Sequence, residues 1–514
     1  MERRYTVGGR EITLEIDETT LAVRFAEDAP RSVRATAADE PETRPFETRF
    51  EVPKEDFTVI QLDPATGARS SGRRASAASR LRDKDAVERV AEVYRLGSKR
   101  AFAPGRIAMG LSDGASLKDL MSAFGFSRIE SFGDNEHLVS LPPGYDPIDV
   151  VNRLGEDKRV RYAEPDLVIF GKHIARRPLD LEPLHMPLAL RRARPDPYRD
   201  EQYALFITEA DLAHQVVRGS PDVRVAILDE GVDVGHPDLS GVIAGMYDAT
   251  DDDAWQQPEP WDGHGTACAG LAAAMHDNGQ GILGIGAGCS ILAVRIAFST
   301  EPGGAWVTRD QWIRRAIDWS VAQGADVISN SWGGGIYSQS IANAIERARQ
   351  RGRGGKGAVV AVAAGNDGRA VDFPGYLDGV LTVSASNQFD EFKTRGSADG
   401  EYWWGSNHGP EVDVAAPGVG NLTTDIRGKG GYHPSGYALF NGTSSSTPIV
   451  AGACALLITV DPELGEAEIR ETIRRTADKA GQFPYANGRN DQMGHGRLNV
   501  NKAVHAVLRR LPTS

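Results

Sequence analysis

The sequence is poor in cysteine and holds no long hydrophobic run. Its 514 residues include three cysteines, Cys268, Cys289 and Cys454, and so small and odd a number implies no disulfide framework. We interpret them as small buried apolar side chains rather than as redox or metal-binding groups. Apolar runs such as residues 358–364 have the length of a strand, so we expect no membrane-spanning helix and no membrane partner.

Excess positive charge and a secretory leader are also lacking. The formal net charge is −13 and the sequence pI is about 5.4, so nucleic acid is not expected as a partner. Residues 1–10 include basic side chains, but no apolar segment follows them, which argues against a secretory signal. The expected location is the cytoplasm, and export without a leader stays open.

Composition divides the chain into five regions. Residues 1–66 form a β-rich N-terminal extension, because segments such as residues 11–16 alternate polar and apolar side chains. Residues 67–99 are predicted to be a linker, since residues 68–80 are small and basic with little to pack. Residues 171–200 are rich in proline and arginine, which predicts a second, exposed linker with candidate cleavage sites.

Residues 100–170 are predicted to form a small α+β domain. Strands are expected at residues 106–111, 137–141 and 160–169. Ser116 can cap a first helix, whose apolar face is set by Leu117, Leu120 and Phe124, and a second helix is expected to start at Pro147. These three strands and two helices are assigned to a ferredoxin-like fold, whose order is strand, helix, strand, strand, helix, strand.

Residues 201–514 have the pattern of an α/β domain. Apolar runs at residues 223–228, 291–296, 325–329, 358–362 and 380–383 alternate with helical stretches at 311–323 and 338–351. This alternation predicts a mostly parallel sheet with helices on both faces. In such sheets functional groups gather beyond the carboxyl ends of the strands.

Three polar residues fit that rule, although each also has a structural explanation. Asp229 directly follows an apolar run, where aspartate is common. His264 lies between glycines before a helix of small residues, as a catalytic base, a metal ligand or a core histidine would. Ser444 precedes an apolar helix whose first turn is expected to hold Pro448. That helix N-terminus favours negative charge near Ser444, but a capping serine would share the pattern.

The chain order Asp, His, Ser is that of subtilisin, and the sequence resembles the subtilisin-like serine proteases. The matching segments are residues 228–233, 236–239, 263–266, 329–334, 363–366, 415–418 and 442–444. The resemblance implies a serine endopeptidase in which Ser444 is the nucleophile, His264 the general base and Asp229 the group that orients the histidine. It also implies that Asn366 donates to the oxyanion beside the Ser444 N–H.

The resemblance further assigns the residues that bind the polypeptide substrate. One wall of the primary specificity pocket, which pairs with the extended peptide, would comprise Ser331, Trp332, Gly333 and Gly334, and the other wall would comprise Ala363, Ala364 and Gly365. Trp332 would border a neighbouring subsite or have a structural role.

Two carboxylates and one long segment depart from the family pattern. Glu230 follows the catalytic aspartate and Asp367 follows Asn366. They indicate either a preference for basic substrate residues or simply solvated carboxylates. Residues 389–406 have the appearance of an insertion near the pocket.

No cofactor is expected for the chemistry, but the family commonly binds structural calcium through oxygen ligands. Asp238 and Asn278 match its tight site, which backbone carbonyls of His276, Gln280 and Ile282 would complete. Cys268, four residues after His264, matches the thiol-containing branch of the family. That match implies a buried thiol close to the histidine.

Residues 100–170 resemble the propeptide of the family, a small domain that assists folding and inhibits the enzyme. The chain is therefore expected to be a zymogen that has its own pro-domain as an intramolecular inhibitor. The arginines within residues 191–194 are candidate cleavage points. Two other functions stay open: a peptide ligase or cyclase that uses the same acyl-enzyme, and a catalytically silent binding scaffold.

Overall fold

The fold of residues 2–26, 50–52, 54–62, 70–97, 99–171 and 196–511 is described by a computed structural model. The chain divides into two compact units. Unit 1 comprises Met1–Lys172 and two later segments, Thr300–Gln311 and Gly335–Ile341. Unit 2 comprises His173–Ser299, Trp312–Gly334 and Ala342–Ser514.

The N-terminal third of the chain is mainly β-structure. Its elements are β1 (Glu2–Val7), β2 (Arg10–Phe25), β3 (Phe50–Val52), β4 (Phe57–Gln61), α1 (Ser70–Arg82), β5 (Val87–Leu96), β6 (Lys99–Phe102), β7 (Arg106–Leu111), α2 (Leu117–Phe124), β8 (Ser127–Phe132), β9 (Glu136–Ser140), α3 (Pro147–Gly155), β10 (Val160–Pro165) and β11 (Val168–Gly171).

The rest of the chain alternates strands and helices. Its elements are α4 (Tyr203–Ile207), α5 (Ala210–Ala213), β12 (Arg224–Asp229), β13 (Ile243–Asp248), α6 (His264–Ala273), β14 (Ser290–Arg295), β15 (Ala297–Ser299), β16 (Trp306–Arg309), α7 (Asp310–Ala322), β17 (Val327–Asn330), α8 (Gln339–Arg351), β18 (Val359–Ala363), β19 (Leu381–Ser386), β20 (Val414–Pro417), β21 (Asn421–Thr424), β22 (Tyr437–Phe440), α9 (Thr443–Val460), α10 (Glu466–Thr476) and α11 (Val500–Leu508), with short 3-10 helices at Arg199–Glu201 and Arg353–Gly355.

A four-stranded antiparallel sheet in unit 1 confirms the ferredoxin-like prediction. Its strands lie in the order β10-β7-β9-β8, with α2 and α3 as the two intervening helices. The Ser116 hydroxyl accepts a hydrogen bond from the Asp119 N–H and caps α2. Asp146 caps α3 by accepting from the N–H groups of Ile148 and Asp149. The predicted helix starts are therefore correct.

The predicted linker at residues 67–99 is wrong over most of its length. Residues 70–82 form α1, and β5 pairs antiparallel with β2 and β6. Ala77, Ala78 and Leu81 of α1 pack in one cluster with Leu21 and Ile60. The alanines that suggested an unpacked segment instead let the helix approach the strands closely.

The strand predicted at residues 160–169 is two strands in two sheets. β10 completes the ferredoxin-like sheet, whereas β11 pairs antiparallel with β6 and β16. Asp166 lies between them, and its carboxylate accepts from the Gln311 N–H at 3.2 Å. Glu164, which is buried, accepts from the N–H groups of Gln339 and Ser340. Two acidic side chains thus bind backbone donors at or beside the first turns of α7 and α8.

Unit 2 is built on seven parallel strands in the order β13-β14-β12-β17-β18-β19-β20. β12 lies between β14 and β17, so the chain winds outward from it in both directions. All five residues of β18 are buried, as expected for parallel strands covered on both faces. The prediction of a mostly parallel α/β sheet is confirmed, and β12 marks the point where ligands bind in such folds.

Helix α9 differs from its prediction in two ways. It begins at Thr443, so Pro448 lies inside the helix rather than in its first turn. Proline lacks the N–H that would bond the Ser444 carbonyl, and the Ser331 hydroxyl donates to that carbonyl instead, at 2.9 Å. By length and composition α9 could cross a membrane, contrary to expectation, but 89% of it is buried inside the protein.

Candidate active site

The residues predicted to be catalytic meet at the carboxyl edge of the parallel sheet. Asp229 is the last residue of β12, and His264 is the first residue of α6. Ser444 lies in the first turn of α9, and Asn366 follows the end of β18. Strand ends and helix starts are positions that backbone hydrogen bonds fix, so the four side chains have rigid supports.

The Asp229 carboxylate orients His264. Nδ1 of His264 lies 2.7 Å from Oδ1 and 2.9 Å from Oδ2 of Asp229, and Oδ1 also accepts from the Glu230 N–H at 2.9 Å. A carboxylate can only accept, so Nδ1 must carry the proton. The ring of Phe440 stands edge-on to the imidazole at 5.0 Å. Nε2 is therefore left as the basic nitrogen.

The Ser444 hydroxyl donates to the backbone carbonyl of Ser331 at 3.0 Å. Gly442, which precedes the helix, has φ 104°, a conformation that residues with a Cβ rarely adopt. The turn at Gly442 thus places Ser444 in the first turn of α9, where the helix dipole favours negative charge. For base catalysis the hydroxyl must rotate from Ser331 to His264, and catalytic hydrogen bonds often form only when substrate is bound.

Asn366 is oriented by the residue before the nucleophile. Its Oδ1 accepts from the N–H and the hydroxyl of Thr443, at 2.8 and 3.0 Å, which directs Nδ2 away from Thr443. A Cβ built on Gly442 would lie 3.5 Å from both Asn366 Nδ2 and the Ser444 nitrogen. Both donors therefore border the same space, as an oxyanion hole requires.

Cys268 lies where the sequence prediction put it, buried and next to the histidine. Its Sγ is 3.8 Å from His264 Nδ1 and donates to the Ser444 carbonyl at 3.6 Å. Asp229, His264 and Cys268 place potential metal ligands within 4.8 Å of one another, and the hydrogen bonds between Asp229 and His264 account for most of this proximity. Burial raises the pKa of Cys289 to about 11 and that of Cys454 to about 12, consistent with the interpretation of those two as apolar side chains.

The two predicted walls lie at the carboxyl ends of neighbouring parallel strands, β17 and β18. Ser331, Trp332, Gly333 and Gly334 follow β17, while Ala363, Ala364 and Gly365 lie at the end of β18. A Cβ on Gly333 would lie 3.3 Å from the Phe373 carbonyl oxygen and 3.8 Å from that of Ala363. A side chain at Gly333 would therefore crowd these two carbonyl groups. Trp332 is half-buried, and its indole N–H has no partner among the described residues.

The two unusual carboxylates have different surroundings. Glu230 is buried, at 4% exposure, so the interpretation of a solvated carboxylate is wrong for it. Asp367 is exposed and pairs with Arg369 at 3.4 Å, which fits a solvated carboxylate. The sequence did not separate the two, because burial depends on the surrounding loops.

Residues 389–406 fold around a buried ion pair. Nζ of Lys393 lies 3.0 Å from Asp399 Oδ1, and both side chains are fully buried. Lys393 also donates to the carbonyls of Thr394 and Glu401. Burial alone would raise the pKa of Asp399, but hydrogen bonds from Ser397, Asn387 and Lys393 outweigh it and leave that pKa lowered.

The same segment supports the catalytic loops, a role that the sequence did not predict. Oε1 of Glu401 accepts from the side chain of Asn441 at 2.9 Å, and Oε2 accepts from the Trp404 indole at 2.6 Å. The N–H of Gly405 donates to the Asn366 carbonyl at 3.3 Å. The segment thus connects the loop before Ser444 to the loop that carries Asn366.

The predicted calcium residues lie together with one that the sequence did not suggest. Asp238, fully buried, accepts from Asn278 Nδ2 and from the Ile282 N–H, both at 2.9 Å. Burial raises the pKa of Asp196; backbone hydrogen bonds from Asp277 and Asn278 oppose this shift, whereas the carboxylates of Asp277 and Asp238 add to it. Oδ1 of Asp196 is buried without a hydrogen-bond partner among the described residues. Neighbouring buried carboxylates with an unpaired oxygen fit a calcium ion.

Two family models match the chain. The model described as the subtilase family matches residues 220–496, which include all four catalytic candidates. The model described as the fervidolysin N-terminal prodomain matches residues 88–166, which include the ferredoxin-like sheet.

Individual relatives agree with these matches. Thermitase of Thermoactinomyces vulgaris is 36% identical over 60% of this chain and 98% of its own length. A calcium-dependent protease of a Nostoc species is 29% identical over 78% of this chain and 62% of its own length. The crystal structure of fervidolysin from Fervidobacterium pennivorans, a keratinolytic enzyme related to subtilisin, covers 78% of this chain and 61% of that one, with 23% identity and a TM-score of 0.60. The chain belongs to the subtilase family of serine endopeptidases and has a fervidolysin-type prodomain.

Proposed function

We propose that this endopeptidase acts through Asp229, His264 and Ser444 by way of an acyl-enzyme, and that it is made as a zymogen that cleaves itself. The contact between His264 Nδ1 and both oxygens of Asp229 carries the proposal. It fixes the histidine with Nδ1 protonated and Nε2 as the basic nitrogen, at the sheet edge that also holds Ser444 and Asn366.

In the acylation step Ser444 Oγ attacks the scissile carbonyl carbon while its proton moves to His264 Nε2. Asp229 stabilises the resulting imidazolium. The negative charge that develops on the carbonyl oxygen is stabilised by Asn366 Nδ2 and the Ser444 N–H. The tetrahedral intermediate then collapses, the C–N bond breaks, and His264 passes its proton to the leaving amine.

In the deacylation step a water molecule attacks the ester carbon of the acyl-enzyme. His264 takes a proton from that water and returns it to Ser444 Oγ as the ester bond breaks. The products are two peptides, and the enzyme returns to its starting protonation state. Water is the only co-reactant.

Self-inhibition by the N-terminal domain is supported within unit 1. Two segments from the region matched to the subtilase family, residues 300–311 and 335–341, belong to the same compact unit as the prodomain. β11 pairs with β16, and Glu164 binds the N–H groups of Gln339 and Ser340. The candidate cleavage arginines, residues 191–194, lie outside the described residues, so this part of the proposal rests on the sequence.

Comparison of wild type with Ser444→Ala tests the proposal. A fluorophosphonate is expected to label wild type at Ser444 and to leave the variant unlabelled. Wild type should be clipped within residues 171–200, whereas the variant should stay full length. Wild type that is unlabelled would contradict the catalytic assignment, and wild type that is fully active but unclipped would contradict self-processing.

Product analysis separates hydrolysis from ligation. Wild type incubated with a peptide library should give only fragments with free carboxyl ends in mass spectrometry. Joined or cyclic peptides as the main products would favour the ligase alternative. A protein that is neither labelled nor active would favour the silent scaffold.

We also propose that Asp196 joins the predicted ligands Asp238 and Asn278 in binding a structural calcium ion. The unpaired Asp196 oxygen supports this, as does the similarity to the calcium-dependent protease of Nostoc. Removal of calcium with a chelator should lower the melting temperature of wild type, and re-addition should restore it. Asp196→Asn should make the melting temperature much less sensitive to calcium, and an unchanged calcium response would contradict the assignment.

A further inference from the structure

We propose that Asp372 makes the primary pocket select a basic residue, so that the enzyme cleaves polypeptides after arginine or lysine. The inference rests on the proposed function, because it names the substrate class of that same site. The selected residue, called the primary substrate residue below, is the one whose carbonyl is attacked.

Asp372 lies beside both predicted walls of the primary pocket. Its N–H donates to the Ala364 carbonyl at 3.4 Å. The Gly334 N–H donates to the neighbouring Phe373 carbonyl at 3.1 Å. A Cβ on Gly365 would lie 3.2 Å from Asp372 Oδ2. The segment that starts at Asp372 therefore joins both walls, and its carboxylate lies against the Gly365 wall.

The Asp372 carboxylate already binds a guanidinium in the geometry that a substrate arginine would use. Arg369 approaches it with two nitrogens, one 2.8 Å from Oδ1 and the other 3.0 Å from Oδ2. Asn407 Nδ2 donates to Oδ2 at 3.2 Å and fixes the orientation of the carboxylate. Planar two-point pairing of this kind favours arginine over other partners.

The two partners of this ion pair differ in burial. The side chain of Asp372 is 13% exposed, whereas that of Arg369 is 46% exposed. A solvated arginine leaves such a pair at low cost, because exposed ion pairs contribute little. The carboxylate is largely buried and needs a cation in its place. A basic substrate side chain can supply that cation, and an apolar one cannot.

Two features of the sequence agree with a basic substrate. The candidate self-cleavage linker contains Arg191, Arg192 and Arg194, so an enzyme that cleaves after arginine would recognise its own linker. The net charge of −13 also attracts cationic peptides over a distance.

The test uses two fluorogenic peptides that differ only in the primary substrate residue, arginine or phenylalanine. Wild type should show the higher kcat/KM for the arginine peptide. Asp372→Asn keeps the shape of the side chain and can still accept from Asn407. It should lower the ratio of kcat/KM for arginine to that for phenylalanine by about 30-fold or more, as expected when a buried charge pair loses one partner.

Two variants serve as comparisons. Asp367→Asn removes an exposed carboxylate that also pairs with Arg369, and it should leave the ratio unchanged. Arg369→Ala removes the internal competitor and should lower KM for the arginine peptide. A loss of arginine selectivity in Arg369→Ala would overturn the assignment to Asp372. A ratio that changes in Asp367→Asn but not in Asp372→Asn would overturn it as well.

An equal fall for both peptides in Asp372→Asn would show that the residue only holds the loop, and this would overturn the proposal. A preference of wild type for phenylalanine would overturn it as well. Fluorophosphonate labelling of Ser444 in the same preparations keeps this result separate from the proposed function. A labelled enzyme without arginine selectivity contradicts only the inference about Asp372.

Discussion

The candidate catalytic group and Asp372, the proposed floor of the pocket, lie in the same unit but are held in different ways. Asp229 and His264 are at the ends of a strand and a helix, where backbone hydrogen bonds set their positions. The carboxylate of Asp372 is held by two side chains, those of Arg369 and Asn407. Asn407 itself is bound through its N–H to the Gly365 carbonyl and through Oδ1 to the Asp367 N–H.

This difference predicts in which region a substitution alters substrate selectivity and in which region it alters catalysis. Strand ends and helix starts are fixed by the fold, so the chemistry stays in place while loops vary. The pocket floor and residues 389–406 depend on individual side-chain contacts, and one substitution there can alter selectivity. We therefore expect changes in the first region to lower the rate for all substrates, and changes in the second to alter selectivity or stability.

The largest expected effect comes from the catalytic group. His264→Ala should lower kcat by about 10⁶-fold, because the nucleophile loses its base. His505→Ala, on helix α11, is the control and should retain wild-type kcat. Substantial remaining activity in His264→Ala, measured with any peptide substrate, would contradict the assignment of the base.

The buried ion pair of the insertion is the next test. Lys393→Met leaves the Asp399 carboxylate buried without its cation, which should lower the free energy of unfolding by about 3–5 kcal/mol. Urea denaturation measures this change. The double variant Lys393→Met/Asp399→Leu should recover much of the loss, whereas Lys429→Met, at an exposed lysine, should cost little. A stable single variant would show that the pair does not hold the insertion.

Removal of the oxyanion donor should have a smaller effect on the rate. Asn366→Leu should lower kcat by about 10²–10³-fold with little change in KM, because the donor acts mainly on the transition state. Steady-state kinetics with one peptide substrate measures both kcat and KM. A raised KM with unchanged kcat would instead assign Asn366 to substrate binding.

The smallest expected effect is a pH dependence of stability caused by His214, which lies outside both regions. Burial lowers the pKa of His214 to about 4, while its Nε2 bonds the Ile285 carbonyl at 2.7 Å. The unfolded chain takes up this proton near pH 6.5 and the folded protein only near pH 4, so stability is lost as the pH falls through that window. Between pH 6.5 and 5 the loss should be roughly 1–2 kcal/mol. His214→Gln should make the urea midpoint less dependent on pH, with the Arg-to-Phe selectivity unchanged, and an equally steep dependence would contradict this.

The sequence predicts the catalytic group because short motifs mark strand ends and helix starts. It does not show which other side chains hold these residues in position. The alanine face of α1 has the composition of a linker until strands are placed beside it. The proposed role of Asp196 in calcium binding depends on the nearby Asp238. The proposed role of Asp372 in selectivity depends on the nearby Gly365 and Asn407. The sequence alone does not show that these residues are neighbours, because only the fold brings them together.

The most direct test measures kcat/KM for the arginine and phenylalanine peptides in wild type, Asn366→Leu and Asp372→Asn. Asn366→Leu should lower both values by the same factor and leave their ratio unchanged. Asp372→Asn should lower the ratio. A changed ratio in Asn366→Leu together with an unchanged ratio in Asp372→Asn would contradict the separation of chemistry from selectivity.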